Sequence, residues 1–362
     1  MSRVVLDMND RRPIWAMPPW VPERLGAALP AGWELVLLTE VTDGSGDGAG
    51  RVAPAVLESL AGAEVYLGYG IAADVLRRGT SLKWVHSGAA GVGSSLTPEM
   101  LASPVVFTNS AGIHAQPMAE TVLGMILFFG RGFDFAVANK ARGVWDTEPF
   151  YVAGAPLREM GDTTVGLVGF GGIGREIARR VASLGARVIA VKRTPPRPGE
   201  ANLETVSGGG TLGDQIEILH GPSGLEAVLR ESDVVVLCAP ETAQTRGLLD
   251  AAALARMRDG AVLINVGRGK LLDEAALVGE LQAGRLRGAG LDVFSKEPLP
   301  AEHPLWTLPN VLVTPHVSAV TRGFWDRETE LILHNLDCLF AGEDPRAGET
   351  PWRNVVDKLE GY

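Results

Sequence analysis

The sequence is poor in cysteine, in positive charge and in long apolar runs. Its two cysteines, Cys238 and Cys338, give little support to a disulfide framework or a zinc site, and Cys238 is predicted to be a small buried apolar residue. The net charge of −10 argues against a nucleic-acid-binding protein, which usually carries a basic face. The longest apolar stretch, residues 122–129, is interrupted by Gly124 and is too short to span a bilayer. The first residues lack the apolar segment of a signal peptide, so we expect a cytoplasmic protein.

The 362 residues are many for a single core, and two domains are expected. Before residue 110, short β-branched and apolar runs alternate with helical segments and end at Gly, Asp or Asn, as parallel strands often do. The predicted strands are residues 35–39, 65–68, 84–87 and 105–109. Residues 43–50 are predicted to form a surface loop. A helical apolar pattern over residues 117–140 is interpreted as a single helix that links the two domains.

A second alternation of strands and helices begins at residue 164. The predicted strands are residues 164–169, 187–191, 234–239, 261–266, 288–293 and 311–314, and the predicted helices are 172–184, 225–231, 251–256 and 274–283. This pattern predicts an α/β, doubly wound parallel sheet. Residues 194–223, rich in Gly and Pro, are predicted to be irregular, with a short hairpin or a flap. A long helix over about 321–340 could return to the N-terminal domain, which would then be discontinuous.

A glycine-rich loop, Gly169-Phe170-Gly171-Gly172-Ile173-Gly174, joins a predicted strand to a predicted helix. The first glycine permits a tight turn, the second lets the backbone approach a pyrophosphate, and the third permits close packing of helix on strand. This context predicts a dinucleotide site, whereas the same glycines without it would indicate only a tight turn.

The residues after the next predicted strand are Lys192, Arg193 and Thr194. A protein that binds NAD usually has an acidic residue here, which accepts hydrogen bonds from the ribose. Two cations and a hydroxyl group favour a 2′-phosphate instead, so we expect NADP(H) to be preferred, with NAD(H) as a possible coenzyme. The alternative is that these residues are solvated surface charges.

Three later segments contain an arginine, a glutamate and a histidine: Arg268 in Asn-Val-Gly-Arg-Gly, Glu297 in Lys-Glu-Pro-Leu-Pro and His316 in Thr-Pro-His-Val-Ser. Arg268 could bind a carboxylate with two parallel N–H donors. His316 could transfer the proton of a carbonyl or hydroxyl oxygen, and Glu297 could orient it and stabilise its protonated form. Taken singly, each has an ordinary alternative: a surface ion pair, a solvated carboxylate or a structural histidine. Their order behind the glycine loop favours a catalytic group that reduces a 2-oxo acid.

Over most of its length the chain resembles the D-isomer-specific 2-hydroxyacid dehydrogenase family, which includes glyoxylate/hydroxypyruvate reductases and phosphoglycerate dehydrogenases. The most specific segments are residues 165–174, 261–269, 288–300 and 303–318, and shorter ones are 87–92, 109–112 and 119–121. The resemblance implies a Rossmann NAD(P)-binding domain, residues 116–317, inserted in a discontinuous flavodoxin-like substrate domain, residues 1–115 and 318–362. Both are expected to be doubly wound parallel sheets.

The resemblance also implies roles for individual residues. Arg268 would bind the substrate carboxylate and carbonyl, Glu297 would pair with His316, and His316 would be the acid/base. Asp292 would hydrogen-bond the nicotinamide carboxamide. The coenzyme riboses would be lined by Ala239, Pro240, Val266 and Gly267. The substrate carboxylate would be held by backbone amides of the loop that contains Gly88, Ala89, Ala90 and Gly91.

The predicted function is reduction of a 2-oxo acid by NADPH, with a small 2-oxo or 2-hydroxy acid as substrate and no nucleic-acid or membrane partner. Alternatives are a non-catalytic, coenzyme-sensing protein like the related transcriptional corepressors, and a formate or phosphonate dehydrogenase. A homodimer is expected, with the apolar helix 118–133 as its surface. Trp145, Phe150 and Tyr151 are interpreted as pocket, core or dimer residues, and His86 and His114 as structural residues or as pocket lining.

Overall fold

The computed structural model describes residues 1–40, 52–207, 210–347 and 350–361. It divides into two compact units, one formed by Met1–His114 with Val320–Tyr362 and the other by Ala115–Ala319. The predicted loop 43–50 lies outside the described residues.

The first unit is a five-stranded, wholly parallel sheet in the order β2-β1-β3-β4-β5, which is the flavodoxin-type order. Its strands are β1 (Ser2–Asp7), β2 (Trp33–Leu37), β3 (Ala63–Gly68), β4 (Trp84–Ser87) and β5 (Val106–Asn109). Its first helices are α1 (Trp20–Ala27), α2 (Pro54–Ser59), α3 (Ala73–Arg78) and α4 (Pro98–Ala102). Strand β1 lies inside the sheet and was absent from the sequence prediction.

The second unit is a seven-stranded parallel sheet in the order β12-β11-β10-β9-β6-β7-β8. Its strands are β6 (Thr164–Val168), β7 (Arg187–Lys192), β8 (Ile216–His220), β9 (Val234–Leu237), β10 (Val262–Asn265), β11 (Gly288–Leu291) and β12 (Val311–Val313). Its helices are α5 (Ala115–Gly130), α6 (Phe133–Arg142), α7 (Glu148–Tyr151), α8 (Gly172–Ser183), α9 (Gly221–Glu231), α10 (Ala251–Leu254) and α11 (Glu274–Gln282). Counted from β6, the order is that of the Rossmann sheet with one further strand, so the predicted fold class is confirmed.

The last helix, α12 (Phe324–Ala341), belongs to the first unit. Its apolar face, with Ile332 and Leu336 wholly buried, packs in one cluster with Val4 and Leu67 of the sheet. A sheet needs both faces covered when all its strands are parallel, and this helix covers part of one face. The chain thus ends with a helix that packs in the same unit as its N-terminal sheet.

One prediction about the second unit was wrong and another was incomplete. The predicted linking helix is two helices, α5 and α6, with Gly132 between them in the left-handed conformation at φ 68°. The segment 194–223 has an antiparallel bridge between Glu204 and Thr211, which agrees with the predicted short hairpin. It also contains an edge strand, β8, which pairs in parallel with β7 and was not predicted. Ile218 and Leu219 of β8 are partly buried and pack against two different core clusters of the second unit.

No single helix among the described residues is long and apolar enough to cross a membrane. Helices α5 and α6 together meet that length and composition, with a bend of 70° between them.

Candidate active site

The predicted catalytic residues follow three neighbouring strands of the second unit. Asn265, Leu291 and Val313 are aligned across β10, β11 and β12. Arg268, Glu297 and His316 come after these three strand ends in the same order. Because all three strands are parallel, their carboxyl ends meet at one edge of the sheet, where ligands bind in doubly wound folds.

His316 and Glu297 form a hydrogen-bonded pair. The distance from His316 Nδ1 to Glu297 Oε2 is 2.8 Å, and Glu297 Oε1 accepts a hydrogen bond from the backbone N–H of Phe294 at 2.9 Å. The histidine side chain is 47% exposed and the glutamate side chain 36% exposed. Within the described parts of the chain, nothing bonds to Nε2 of His316. The carboxylate therefore orients the ring and leaves Nε2 open to an external group, which suits proton transfer.

The backbone of His316 is in the left-handed region, at φ 55°. Its N–H donates to the carbonyl oxygen of Asp292 at 2.8 Å. The Asp292 carboxylate is wholly buried and accepts hydrogen bonds from Thr314 Oγ1 at 2.6 Å, from Val317 N–H at 2.9 Å and from Ser318 N–H at 3.0 Å. A histidine rarely adopts this conformation, and it persists where its surroundings determine it fully, as they do here. The predicted contact between Asp292 and the nicotinamide stays a prediction, whereas this anchoring of the turn was not foreseen.

Arg268 is exposed and lies on a turn held by a buried asparagine. Asn265 Oδ1 accepts from Gly267 N–H at 3.0 Å, and its Nδ2 donates to the carbonyl oxygen of Arg268 at 3.1 Å. A Cβ at Gly269 would lie 1.8 Å from the carbonyl carbon of Phe294, so the arginine turn packs directly on the backbone that holds Glu297. In the sequence, Asn265 is a lone amide residue at the end of a buried strand, and its role in holding the arginine turn was not predicted.

The glycine loop has the geometry of a phosphate cradle. Gly169 is at φ 112°, and a Cβ there would lie 2.8 Å from the backbone nitrogen of Ala239. A Cβ at Gly174 would lie 2.3 Å from the carbonyl oxygen of Gly169, which is why helix α8 can pack so closely. Gly171, at the N-cap of α8, has no described atom within 4 Å of its Cβ position, and no side chain caps the helix. Open space before uncapped N–H groups fits a pyrophosphate.

The predicted ribose-lining segments lie at adjacent strand ends. A Cβ at Gly267 would lie 3.0 Å from the carbonyl oxygen of Ala239, and Val266 N–H donates to the carbonyl oxygen of Leu237 at 3.1 Å. Pro240 follows Ala239, and its carbonyl oxygen accepts from Thr245 Oγ1 at 2.7 Å. These backbone segments are adjacent in the folded unit, while their contact with a ribose stays a prediction.

The end of β7 contains an acidic partner that was missed. Lys192 Nζ lies 2.7 and 2.9 Å from the two carboxylate oxygens of Glu200, and Arg175 Nη2 lies 2.6 Å from Oε1. Arg193 and Thr194 are exposed. Eight positions separate Glu200 from Lys192, and Glu200 lies in the segment that was predicted to be irregular.

The predicted carboxylate-binding loop lies at the end of β4 in the first unit. The N–H groups of Gly88 and Ala89 bond to Gly68 O and to Ser87 Oγ. Among the described residues, none accepts from the N–H groups of Ala90 and Gly91. Two of the four predicted amides are therefore open to a ligand.

The other residues considered in the sequence differ in their burial. His86 is wholly buried: its Nδ1 lies 2.7 Å from Thr108 Oγ1, and its Nε2 lies 2.7 Å from Glu328 Oε1. The ring of His114 stacks on that of Phe324. Phe150 packs on Phe135 inside the second unit, whereas Trp145 and Tyr151 are 95% and 84% exposed. The core interpretation is therefore wrong for Trp145 and Tyr151.

Known proteins resemble this chain in sequence and in fold. Residues 123–318 match the family model described as "D-isomer specific 2-hydroxyacid dehydrogenase, NAD binding domain". The chain is 34% identical over 291 residues to glyoxylate/hydroxypyruvate reductase A of Citrobacter koseri, covering 78% of this chain and 83% of that protein. It is 32% identical over 300 residues to D-3-phosphoglycerate dehydrogenase of Mycobacterium tuberculosis strain H37Rv, covering 79% of this chain and 52% of that protein, so it spans about half the length of this relative.

Two solved structures are similar over nearly the whole chain. A D-isomer specific 2-hydroxyacid dehydrogenase from Xanthobacter autotrophicus Py2, in complex with NADPH and MES, superimposes with a TM-score of 0.76 at 28% identity, covering 99% of each chain. An NADPH-dependent glyoxylate/hydroxypyruvate reductase from Sinorhizobium meliloti, in complex with NADP and sulfate, gives 0.72 at 28% identity, covering 100% of each chain. The fold, the family model and the relatives agree, and the chain belongs to the D-isomer specific 2-hydroxyacid dehydrogenase family.

Proposed function

We propose that this protein is an NADP(H)-dependent reductase of small 2-oxo acids, a D-2-hydroxyacid dehydrogenase, with His316 as its acid/base. The observation that carries the proposal is the 2.8 Å pair between His316 and Glu297, with Nε2 left open at the ligand-binding edge of the sheet. Membership of the family supports the reaction class.

Three residues of the second unit, His316, Glu297 and Arg268, have distinct roles in the proposed reaction. Protonated His316 donates its Nε2 proton to the oxygen of the substrate carbonyl, and Glu297 stabilises the cation before that transfer. Arg268 turns from the carbonyl of Gly267, to which its Nη1 donates at 2.7 Å, and binds the substrate carboxylate with two N–H donors. Its charge also stabilises the negative charge that develops on the carbonyl oxygen. When bound, NADPH supplies the hydride for the 2-carbon. The role of the loop amides near Ala90 stays a prediction.

Two features support a dinucleotide coenzyme with a 2′-phosphate. The glycine loop leaves open space in front of the first turn of α8, where a pyrophosphate would accept hydrogen bonds. The last residue of β7 is Lys192, and Arg193 and Thr194 follow it, at the position where an acidic residue would bind the hydroxyl groups of an NAD ribose. The two similar solved structures contain NADPH or NADP, which agrees with this choice.

The homodimer is also a proposal, and we infer a surface that begins at the end of the predicted one, residues 118–133. Met118, Val122, Met125 and Phe129 of α5 are buried within their own unit. Phe133, the last residue of the predicted surface, is exposed, and further exposed apolar side chains follow it at Val137, Trp145 and Tyr151. Large exposed apolar groups clustered in one segment are typical of a protein interface. We infer that this segment forms the dimer surface, to be checked by light scattering of wild type and of Trp145→Ser.

The decisive experiment follows NADPH and NADH oxidation against glyoxylate, hydroxypyruvate, pyruvate and phenylpyruvate. We expect turnover with at least one of them and a higher kcat/KM with NADPH than with NADH. Coenzyme binding without turnover on any 2-oxo acid would indicate a coenzyme-sensing protein instead. Equal or better efficiency with NADH would contradict the coenzyme assignment alone.

A further inference from the structure

An acidic side chain occupies the centre of the cation cluster at the end of β7. Glu200 binds Lys192 Nζ with both carboxylate oxygens, at 2.7 and 2.9 Å, and Arg175 Nη2 with Oε1, at 2.6 Å. The N–H of Arg197 donates to Oε2 at 2.8 Å. The glutamate side chain is 4% exposed, and that of Lys192 is 18% exposed. The carboxylate is therefore buried and hydrogen-bonded at this end of the sheet.

Glu200 carries a negative charge at neutral pH. Burial alone raises the pKa of its carboxyl, but hydrogen bonds from Lys192 and from the N–H of Arg197, with the charges of Lys192 and Arg175, hold that pKa below its usual value. A permanent anion among these cations cancels part of the positive potential that they produce.

The position of the cluster gives this anion a consequence for coenzyme choice. Lys192 is the last residue of β7, and Arg175 lies in the first turn of α8, directly after Gly174. In a βαβ unit of this type, the ribose next to adenine lies at the end of the second strand. A 2′-phosphate there would compete with the Glu200 carboxylate for the N–H donors of Lys192 and Arg175. Two anions that share one set of donors repel each other.

We propose that Glu200 is a specificity-determining residue, an internal anion that engages Lys192 and Arg175 and thereby weakens the binding of a 2′-phosphate relative to a 2′-hydroxyl. The inference rests on the proposed function only in that a dinucleotide binds at the glycine loop. It does not depend on which acid is reduced. It implies that the wild type prefers NADPH less strongly than it would without the Glu200 charge. Removal of that charge should therefore strengthen the preference.

The test is calorimetric titration of the full chain with adenosine 2′,5′-bisphosphate and with adenosine 5′-monophosphate, which differ by the 2′-phosphate. For Glu200→Gln we expect the bisphosphate to bind roughly 3- to 10-fold more tightly at low salt, with the monophosphate unchanged within about twofold. The gain should shrink as KCl is raised. Unchanged or weaker binding of the bisphosphate by a folded Glu200→Gln would overturn the proposal, as would a wild type that binds neither nucleotide.

Two variants separate charge from loop geometry. Glu200→Asp keeps the charge and is expected to retain the wild-type ratio of the two affinities. A gain equal to that of Glu200→Gln would assign the effect to loop geometry and overturn the proposal. Glu217→Gln is the matched control, because Glu217 pairs with Arg187 at the opposite end of β7 and its loss changes net charge equally. It should leave both affinities unchanged.

A second background keeps the test decisive if Glu200→Gln does not fold. Lys192→Gln is compared with Lys192→Gln/Glu200→Gln, in which both charges of the pair are removed. The double variant should bind the bisphosphate more tightly than Lys192→Gln does, and equal or weaker binding would contradict the role of Glu200. Because these titrations involve no 2-oxo acid, a failure of the proposed reductase activity is recognised separately in the turnover assay.

Discussion

Nδ1 of His316 lies 2.8 Å from Oε2 of Glu297, across 19 positions of sequence. The two residues follow β12 and β11, which are neighbours in the sheet. The second oxygen of Glu297 is held by the N–H of Phe294, so the carboxylate cannot rotate without losing a hydrogen bond. The pair is thus oriented by the fold before any substrate arrives.

Replacement of Glu297 by Gln should separate catalysis from coenzyme binding. The amide oxygen can still accept from Phe294, but a neutral amide stabilises protonated His316 poorly. We expect kcat for 2-oxo acid reduction to fall by roughly 10²- to 10⁴-fold, the typical contribution of acid–base catalysis, and His316→Ala to lose at least as much. Coenzyme affinity, measured by fluorescence titration, should stay at the wild-type value. Exposed Glu302→Gln is the control, and full activity in Glu297→Gln would refute the assignment.

Arg268→Lys should weaken substrate binding more than coenzyme binding. Lysine keeps the charge but cannot form two parallel N–H bonds to a carboxylate. We expect kcat/KM to fall by about 10- to 100-fold, for a loss of roughly 1.4–2.8 kcal/mol. Steady-state kinetics with a saturating coenzyme measure it, and Arg230→Lys on the exposed face of α9 is the control. A wild-type KM in Arg268→Lys would place the substrate carboxylate elsewhere.

Replacement by alanine should affect two glycines of the same loop differently, one in coenzyme binding and the other in stability. A Cβ at Gly171 meets no described atom within 4 Å, so Gly171→Ala should melt like wild type yet bind coenzyme more weakly. A Cβ at Gly174 would lie 2.3 Å from the carbonyl oxygen of Gly169, so Gly174→Ala should lose about 1–3 kcal/mol of stability. Urea unfolding and coenzyme titration of both variants check this. If the two variants lost the same stability and the same coenzyme affinity, the described shape of the phosphate cradle would be wrong.

Asp292→Asn tests the anchor beneath His316. Asparagine offers one acceptor oxygen, and its NH₂ group would face a backbone N–H of Val317 or Ser318. We expect a stability loss of about 1–3 kcal/mol and a lower kcat, since the left-handed turn loses its support. The exposed N-cap Asp273→Asn should be nearly neutral, because Asn and Asp cap helices equally well. A stable Asp292→Asn variant with full activity would contradict the anchoring role.

Neither cysteine should react with thiol reagents in the native protein. Both are buried, and burial raises the pKa of the Cys238 thiol to about 12. Since the thiolate is the reactive form, it is a very small fraction at pH 8. A colorimetric thiol assay should detect no rapid reaction in buffer and two thiols per chain after denaturation in guanidinium chloride. A fast native thiol would show that one of these sites opens.

The central strands of the second unit were predictable because parallel strands buried on both faces are short continuous apolar runs. The glycine loop was predictable because its function depends on spacing within one segment. Strand β1 was missed, since Ser2 and Arg3 at its start obscure a short run that becomes a strand only when β2 and β3 flank it. Strand β8 was missed for a related reason, because an edge strand depends on its pairing with β7.

By itself, the sequence determined the family, the fold class and the identity of Arg268, Glu297 and His316 as candidates, because each rests on local composition, order and spacing. The tertiary structure decided what holds them: Asn265 for the arginine turn, and Asp292 for the left-handed backbone of His316. It also placed Glu200 between Lys192 and Arg175, which changes how the cations at the end of β7 are interpreted. Hydrogen bonds and ion pairs of this kind join residues that are separated in the chain, and their partners are chosen only when packing brings those residues together.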